Sequence, residues 1–306
     1  MCENAARQAT LVAAIVLAMG TTARNREYRS ALVLAQTTID RYPTSVGHHV
    51  LATELISAGR RDEAERQLAL ALPDAPRAHY TLGVLLFEER RWDEAIQQFR
   101  RFVERLPYMF EVISARRYTG MALAAQRRWA EAAQEYRAVL AMNPPPDDAM
   151  AVRGLLGDSL RGQQLFDEAL EQYRLYLQVH PMDAAVLNGA AIALGATGRI
   201  DSAIELFRRA ADLEPGDAAL QRNLARALVD AGRTAEAVLP SQRAVALRSD
   251  DPEAHDLLGR ALFMAGDPDA GIAELERASR LAPDAAEIRE HLARALRARR
   301  AAPNRP

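Results

Sequence analysis

The amino-acid sequence predicts an all-α solenoid of stacked helical hairpins, and three observations carry this prediction. Apolar residues recur with the 3.6-residue period of a helix in short segments along the whole chain. The same set of small residues and prolines returns at a spacing of about 34 residues. No run of alternating β-branched and polar residues is bounded by Asn-Gly or Asp-Gly, the usual signal of a β-hairpin.

The composition agrees with a helical repeat protein. Of 306 residues, 49% are apolar and only 6% are aromatic, so alanine and leucine do most of the packing. The net charge of −2 gives no reason to expect nucleic acid as a partner. Every basic residue is arginine, which is typical of GC-rich bacterial genomes. The single cysteine, Cys2, excludes an internal disulfide and a cysteine zinc site.

Residues 184–217 show the repeating unit most clearly. Two apolar-periodic segments, residues 186–197 and 201–213, are separated by Gly198-Arg199. Small residues such as Ala191 lie where a neighbouring helix must approach closely, with larger apolar residues three or four positions away. One hairpin cannot bury both of its apolar faces, so the unit needs copies on either side.

Four landmarks place the other units. They are a small residue at the eighth place, alanine at the twentieth, a small residue at the twenty-seventh and proline near the thirty-second. Three extra residues follow two of the upstream units. The resulting boundaries are an N-terminal segment at 1–11, eight repeats at 12–44, 45–75, 76–112, 113–149, 150–183, 184–217, 218–251 and 252–285, a capping helix at 286–300 and a tail at 301–306.

Residues 10–20 form an uncharged apolar run with two interpretations. The run has the length of the apolar region of an export signal, but it is too short to span a bilayer. The segment before it is a poor positively charged region, because Glu3 opposes Arg7. We favour the first helix of the first repeat, which predicts a cytoplasmic protein. The alternative is a periplasmic or secreted protein, and a membrane contact is expected only if residues 10–20 act as an anchor.

A 34-residue helix–turn–helix unit with these landmarks resembles the tetratricopeptide repeat, and the resemblance covers residues 12–300. The resemblance implies a right-handed α-solenoid in which the first helices line a concave, protein-binding groove. The chain departs from the family at the fourth place, where an aromatic residue is usual. The residues there are His48, His79, Arg116, Arg153, Leu187, Gln221 and His255.

The turns within the units have the expected chemistry. Gly59, Gly198, Gly232 and Gly266 follow the first helix, where a left-handed residue is predicted. Acidic residues open the second helices, where they favour the positive end of the helix dipole. Pro240 falls inside a second helix, and we expect it to kink that helix on the outer surface.

No catalytic, cofactor or metal site is predicted. Three of the six histidines occupy the fourth place of a repeat, where packing in the core is the expected role. No two histidines have the i, i+4 spacing of a helical zinc site, and no glycine-rich loop follows a strand. The sequence therefore predicts a protein that is not an enzyme.

The groove is the remaining candidate site. Carrying the family's groove places onto this chain gives His49, Tyr80, Val84, Phe87, Arg117, Met121, Arg161, Asn188, Arg222, Arg226, Arg260 and Phe263. Arg222, Arg226 and Arg260 have two interpretations: they hold carboxylates of a partner peptide, or they are solvated or paired within the groove. The partner is expected to be a protein or peptide, with acidic residues facing these arginines under the first interpretation.

These features predict a scaffold or adaptor that binds a partner segment in the groove. Two alternatives stay open. One is a periplasmic or membrane-associated assembly factor with an N-terminal export segment. The other is the repeat module of a larger enzyme, such as a glycosyl- or sulfotransferase.

Overall fold

The computed structural model describes residues 31–301, where the chain forms sixteen helices and no strand. The N-terminal segment, the apolar run at residues 10–20, the start of the first repeat and the tail beyond Ala301 lie outside the described residues. The chain divides into two compact units, Met1–Pro144 and Pro145–Pro306.

The first unit contributes seven of these helices: α1 (Ala31–Arg41), α2 (Ser45–Ser57), α3 (Arg61–Ala71), α4 (Arg77–Glu88), α5 (Trp92–Arg105), α6 (Glu111–Ala125) and α7 (Trp129–Ala141). The second unit contributes nine: α8 (Pro146–Gly162), α9 (Phe166–Leu177), α10 (Ala184–Ala196), α11 (Ile200–Leu213), α12 (Ala218–Asp230), α13 (Thr234–Leu247), α14 (Pro252–Ala265), α15 (Pro268–Leu281) and α16 (Ala286–Ala301).

In both units, consecutive helices pack into antiparallel hairpins, each with a first and a second helix. The hairpins are α2/α3, α4/α5 and α6/α7 in the first unit, and α8/α9, α10/α11, α12/α13 and α14/α15 in the second. First helices of successive hairpins also contact each other, as α12 contacts α14 and α14 contacts α16. The described chain is therefore an all-α solenoid, as the sequence predicts.

The small residue at the eighth place makes room for a large side chain of the same hairpin. The pairs in which this small residue is glycine are Gly83 with Phe99, Gly120 with Tyr136, Gly157 with Tyr173 and Gly259 with Leu275. A Cβ atom at Gly120 would lie 2.5 Å from the ring of Tyr136, which is buried. Glycine is needed at such a place because the facing ring already fills the space.

The turn after each first helix contains one residue in the left-handed conformation. The four glycines predicted there have positive φ, between 73° at Gly232 and 103° at Gly266. In three hairpins the same place holds a residue with a side chain: Arg90, Arg127 and Gln164 have φ of 61°, 59° and 63°. These residues carry a conformational cost that glycine avoids.

Replacing Arg127 by glycine should therefore stabilise the first unit. Relief of the left-handed strain, about 1–2 kcal/mol, is partly offset by the greater freedom of glycine in the unfolded chain, about 0.5–1 kcal/mol. We expect a net gain of roughly 0.5–1 kcal/mol. Urea unfolding followed by tryptophan fluorescence measures it, since Trp92 and Trp129, the two tryptophans of the chain, lie in this unit.

Gly59 provides the matched control for this prediction. It has φ of 75°, and a Cβ atom there would meet nothing within 4 Å, so Gly59→Arg adds strain without a clash. The Gly59→Arg variant should lower the unfolding midpoint while Arg127→Gly raises it. Midpoints that move in the same direction would contradict the left-handed strain.

Arginine–glutamate pairs close the turns between the two helices of several hairpins. The arginine just before the second helix binds the glutamate three residues later, in the pairs Arg60–Glu63, Arg91–Glu94, Arg128–Glu131 and Arg233–Glu236. The hydrogen bond from the arginine is the main cause that lowers the pKa of each of these carboxyl groups. Some of these arginines also reach the neighbouring hairpin, as in Arg91–Glu65 at 2.9 Å. The sequence indicates the acidic residues but not these pairs.

Six of the seven departures at the fourth place are explained by a partner 19 residues later on the second helix. Hydrogen bonds join His48 to Gln67, His79 to Gln98, Arg116 to Glu135, Arg153 to Gln172 and His255 to Glu274. Leu187 has Leu206 at the corresponding place, and both belong to one apolar cluster. These six departures are thus halves of matched pairs across a hairpin, and histidine in the core is accommodated by hydrogen bonding. Gln221 is the exception: Pro240 stands at the corresponding place, and the Gln221 amide donates instead to the backbone carbonyl of Ala211 at 3.1 Å.

Three details correct or refine the sequence-based description. Pro240 lies inside α13 but is buried, so the prediction of an outer-surface position is wrong. The extra residues before the hairpins α6/α7 and α8/α9 are mostly helical, because α6 begins at Glu111 and α8 at Pro146. The capping helix extends to Ala301, one residue beyond the predicted end.

Candidate partner-binding surface

The predicted groove residues all lie on first helices, and we call the surface formed by those helices in each unit its first-helix face. The twelve residues divide equally between the units. The first-unit residues are His49, Tyr80, Val84, Phe87, Arg117 and Met121, and the second-unit residues are Arg161, Asn188, Arg222, Arg226, Arg260 and Phe263.

In the first unit, the predicted aromatic residues belong to a ring cluster that continues into the core. Tyr80 of α4 packs on Phe102 at 5.3 Å between ring centroids, and Phe87 packs on Tyr118 of α6 at 5.1 Å. Tyr118 in turn stacks on the buried Phe99 with an interplanar angle of 9°. Offset and edge contacts of this kind favour a rigid arrangement. Tyr80, Phe87 and Val84 are half-buried, so only part of each side chain is accessible at the surface.

His49 links the first helices of two neighbouring hairpins. Its Nε2 lies 2.8 Å from Oγ1 of Thr81 on α4. Burial, and then the positive charge of Arg77, lower the pKa of His49. His49 is therefore neutral at neutral pH and contributes a polar but uncharged contact to this face.

Arg117 and Met121 of α6 remain partly accessible. The guanidinium of Arg117 lies 6.0 Å from the centroid of the Tyr118 ring, at the limit of a cation–π contact. Met121 offers a flexible apolar side chain that adapts to the shape of a partner. The six predicted residues of the first unit are thus mainly apolar, with one guanidinium.

In the second unit, the first-helix face begins with two internal hydrogen-bonded groups. Arg161 donates to the Tyr173 hydroxyl at 3.2 Å and to Asp158, and that hydroxyl donates to Asp158 at 2.8 Å. Further along, Asn223 of α12 donates to the side-chain oxygen of Asn188 on α10 at 2.9 Å. Both groups join elements of the unit, so they hold the face in shape.

Arg222 and Arg226 of α12 bind carboxylates of the next hairpin. Arg222 contacts Asp251 at 2.6 Å and Glu253 at 3.5 Å, and Arg226 also pairs with Glu253. Glu253 therefore relieves the repulsion between Arg222 and Arg226, which lie four residues apart on one helix. Asp251 also accepts hydrogen bonds from the amide groups of Glu253 and Ala254, which fixes it at the start of α14.

Arg260 of α14 has longer contacts with its acidic neighbours. Its guanidinium lies 3.4 Å from Asp230 and 3.7 Å from Asp256. These contacts agree with the interpretation that the arginines are paired within the groove. Glu290 of the capping helix pairs with Arg294 of its own helix. Phe263, one turn after Arg260, is partly exposed.

A buried acid joins the capping helix to the last hairpin. Asp256 of α14 is 4% exposed and accepts from Nδ1 of His291 on α16 at 2.9 Å. Burial is the main cause that raises the pKa of this carboxyl group. The sequence analysis does not pair these two residues. The only signal for the pair in the sequence is an acidic residue on one first helix and a histidine 35 residues later on the next, which is one residue more than the repeat length.

The described residues show no arrangement suited to binding a metal ion. Residues 31–301 contain no group of three or more histidine, cysteine or acidic side chains placed to do so. Within the same range, no helix combines the length and apolar character needed to cross a membrane.

Sequence profiles of one repeat family match most of the helical region. Three tetratricopeptide-repeat profiles match; one covers residues 49–109, 119–185 and 155–218, and the others cover 196–261 and 252–295. Together with the stacked hairpins, these matches decide the family. The chain is a tetratricopeptide-repeat protein. No curated protein sequence matches the chain closely enough to be counted as a relative.

Solved structures support the same fold for this tetratricopeptide-repeat protein. The PilF protein of Pseudomonas aeruginosa superposes with a TM-score of 0.60 at 18% identity, covering 72% of this chain and 98% of that chain. A repeat protein from Parabacteroides merdae gives 0.57 at 15% identity, covering 86% and 98%. The Cut9–Hcn1 complex gives 0.59 at 16% identity and 87% of this chain, which spans about half (52%) of the chain it matches.

The family assignment bears on function in general terms. Tetratricopeptide-repeat proteins generally mediate protein–protein interactions and are generally not catalysts. At identities below 20%, the solved structures establish the fold alone.

Proposed function

We propose that this tetratricopeptide-repeat protein is an adaptor without catalytic activity that binds a segment of another protein on its first-helix faces. The observation that carries the proposal is the combination of partly exposed apolar side chains with charged pairs on these faces. Met121 supplies the apolar part in the first unit and Phe263 in the second. Arg226 and Arg260 supply the charges in the second unit.

The role of the arginines differs from a simple carboxylate clamp. Each of Arg222, Arg226 and Arg260 already has an acidic neighbour, so a partner carboxylate must exchange with an existing contact. Arg222 is the least available because it pairs with Asp251 at 2.6 Å, and the Asp251 side chain is 10% exposed. Arg260 is the most available, since its contacts are longer and side-chain pairs near the surface are weak. We therefore expect apolar contacts to supply most of the affinity and Arg260 to favour acidic partners.

Affinity capture with the immobilised full chain tests the proposal. Capture from an extract of the source cells should retain specific proteins, identified by mass spectrometry. Met121→Asp and Phe263→Asp should each reduce retention of partners that use the corresponding face by tenfold or more. The physical reason is that an apolar contact of 1.5–3 kcal/mol is replaced by a desolvated charge, at about 1.4 kcal/mol for each tenfold.

Matched controls come from the second helices. Leu70 of α3 and Leu239 of α13 are exposed apolar residues that lie off the first-helix faces. Leu70→Asp and Leu239→Asp should leave retention unchanged. Equal retention by all four variants, each with an unchanged circular dichroism spectrum, would refute binding on the first-helix faces.

A further inference from the structure

Two apolar pockets of nearly equal size lie on the first-helix face of the second unit. The upstream pocket, of about 340 Å³, lies between the end of α10, the second helix α11 and the next first helix α12. The downstream pocket, of about 350 Å³, lies between the ends of α12 and α14, the second helix α15 and the capping helix α16. Each volume is large enough to admit a bulky apolar side chain.

The two pockets occupy equivalent places two repeats apart. Phe207 of α11 lines the upstream pocket and Leu275 of α15 the downstream one. Four further pairs of lining residues stand at the same places of the two repeats: Gly195 and Phe263, Ala196 and Met264, Arg226 and Arg294, and Ala227 and Ala295. At the repeat between them, Leu257 stands at the place of Asn223 and His291, and it is 2% exposed. Along this face, a pocket is therefore followed by a repeat in which the buried leucine occupies the equivalent position, and then by the second pocket.

The spacing of the pockets sets the spacing of the side chains that could fill them. The first helix α12 contacts α14, and α14 contacts α16, and packed helices lie about 8–10 Å apart. Two repeats thus separate the pockets by about 16–20 Å. An extended chain advances about 3.3 Å per residue, so five or six residues cover this distance.

The charges around the pockets differ, and this difference selects the partner. The lining of the downstream pocket includes Arg260, Arg294 and His291, and the carboxylates that contact them, Asp230, Asp256 and Glu290, lie outside this lining. Arg294 is held only by an exposed pair with Glu290, which a partner carboxylate can replace at little cost. The upstream pocket has one charge of each sign, Arg226 and Asp230. A negative charge on the partner is therefore favoured at the downstream pocket.

We infer that the second unit binds an extended segment of another protein that has two bulky apolar side chains five or six residues apart, with an acidic residue beside the one in the downstream pocket. This inference rests on the proposed adaptor function and specifies the chemistry of the partner. The apolar side chains supply the affinity, and the guanidinium groups of Arg260 and Arg294 set the orientation of the segment.

Selection from a random peptide display library against the full chain tests the inference. Enriched peptides should contain two bulky apolar residues at the stated spacing with an acidic residue beside one of them. Their affinity is then measured by fluorescence anisotropy on labelled synthetic copies. Replacing either apolar residue of a selected peptide by alanine should weaken binding about 10- to 100-fold.

Variants that fill the pockets provide the structural half of the test. Ala196 and Ala298 line the upstream and downstream pockets and are exposed helical residues, so leucine there fills a pocket without disturbing the core. Ala196→Leu and Ala298→Leu should each weaken binding about tenfold or more. Ala246→Leu, an exposed helical position of α13 outside both pockets, should leave the affinity unchanged.

The outcomes separate this inference from the adaptor proposal. Selected peptides that lack the spacing, or that bind both filled variants normally, overturn the pockets as anchors but leave an adaptor intact. Failure to select any peptide also overturns the inference, and the capture experiment then judges the adaptor function independently. Retention of a labelled second copy of the chain, lost in the filled variants, would assign the pockets to self-association and overturn a partner segment.

Discussion

Replacing Gly259 by alanine should destabilise the last hairpin by about 2–3 kcal/mol, the upper part of the usual range for overpacking a core. A Cβ atom at this position would lie 2.8 Å from the carbonyl oxygen of Gly271 and 2.9 Å from the amide nitrogen of Leu275. Both are backbone atoms of α15, so α14 and α15 must move apart to admit one methyl group. A Cβ atom at Gly271 would in turn lie 2.7 Å from the carbonyl oxygen of Gly259. Neither helix therefore has room for a methyl group where the two cross.

Gly154 supplies the matched control, because it is also a buried glycine within a first helix. A Cβ atom there would have its nearest contacts at 3.5 Å from the Tyr176 ring, an ordinary packing distance. Gly154→Ala should therefore be neutral or stabilising by up to about 1 kcal/mol, since alanine favours helix. Urea unfolding by circular dichroism, with hydrogen exchange of α14 and α15, measures both variants. Equal stability of the two would show that the close crossing does not exist.

His291→Ala should release the capping helix, with a loss of about 3 kcal/mol in the stability of its docking. The substitution removes the hydrogen bond from His291 and leaves the buried carboxyl group of Asp256 with Arg260, at 3.7 Å, as its other neighbour. A buried charge that loses its partner is far more costly than an exposed one. Hydrogen exchange of α16 measures the effect directly, since the helix should exchange faster by about two orders of magnitude.

The same helix contains a control for this prediction. Arg294 pairs with Glu290 at 2.8 Å, but their side chains are 67% and 64% exposed. Arg294→Ala should therefore change the protection of α16 by less than about 1 kcal/mol. A double variant, Asp256→Leu with His291→Leu, should recover much of the lost protection by replacing the pair with apolar contacts. If His291→Ala exchanges like Arg294→Ala, the buried pair does not hold the cap.

The repeating architecture could be predicted from sequence because its signals are local and recur. Gly198 and Gly232 mark turns by their own conformational freedom, and each eighth-place small residue marks a close approach within one hairpin. The partners of the fourth-place residues could not be predicted in the same way. His79, Arg116 and Leu187 look like independent exceptions until the facing residue of the second helix is known. The repeat pattern identifies each exceptional residue but not the residue that it pairs with.

The contacts of the groove residues were even harder to predict from the sequence than those of the fourth-place residues. The places of Arg222 and Arg260 follow from the repeat, but their state depends on acidic residues about 30 positions away in sequence. Asp251 and Asp230 belong to a turn and to a helix end, where carboxylates are common for local reasons. The pockets are less predictable still, because they depend on small or absent side chains at several places at once.

The matched pairs across the hairpins have a consequence for how the chain folds. All hairpins have similar lengths and apolar faces, so during folding a first helix could associate with the second helix of a neighbouring repeat. Arg153, for example, would then face Leu206 instead of its own Gln172, and a partly buried polar group would lose its hydrogen bond. Where neighbouring repeats use different pairs, as they do from α6/α7 onward, such mispaired intermediates are less stable than the correct hairpins. The variation at the fourth place thus favours pairing of each first helix with the second helix of its own repeat, although the repeats resemble one another.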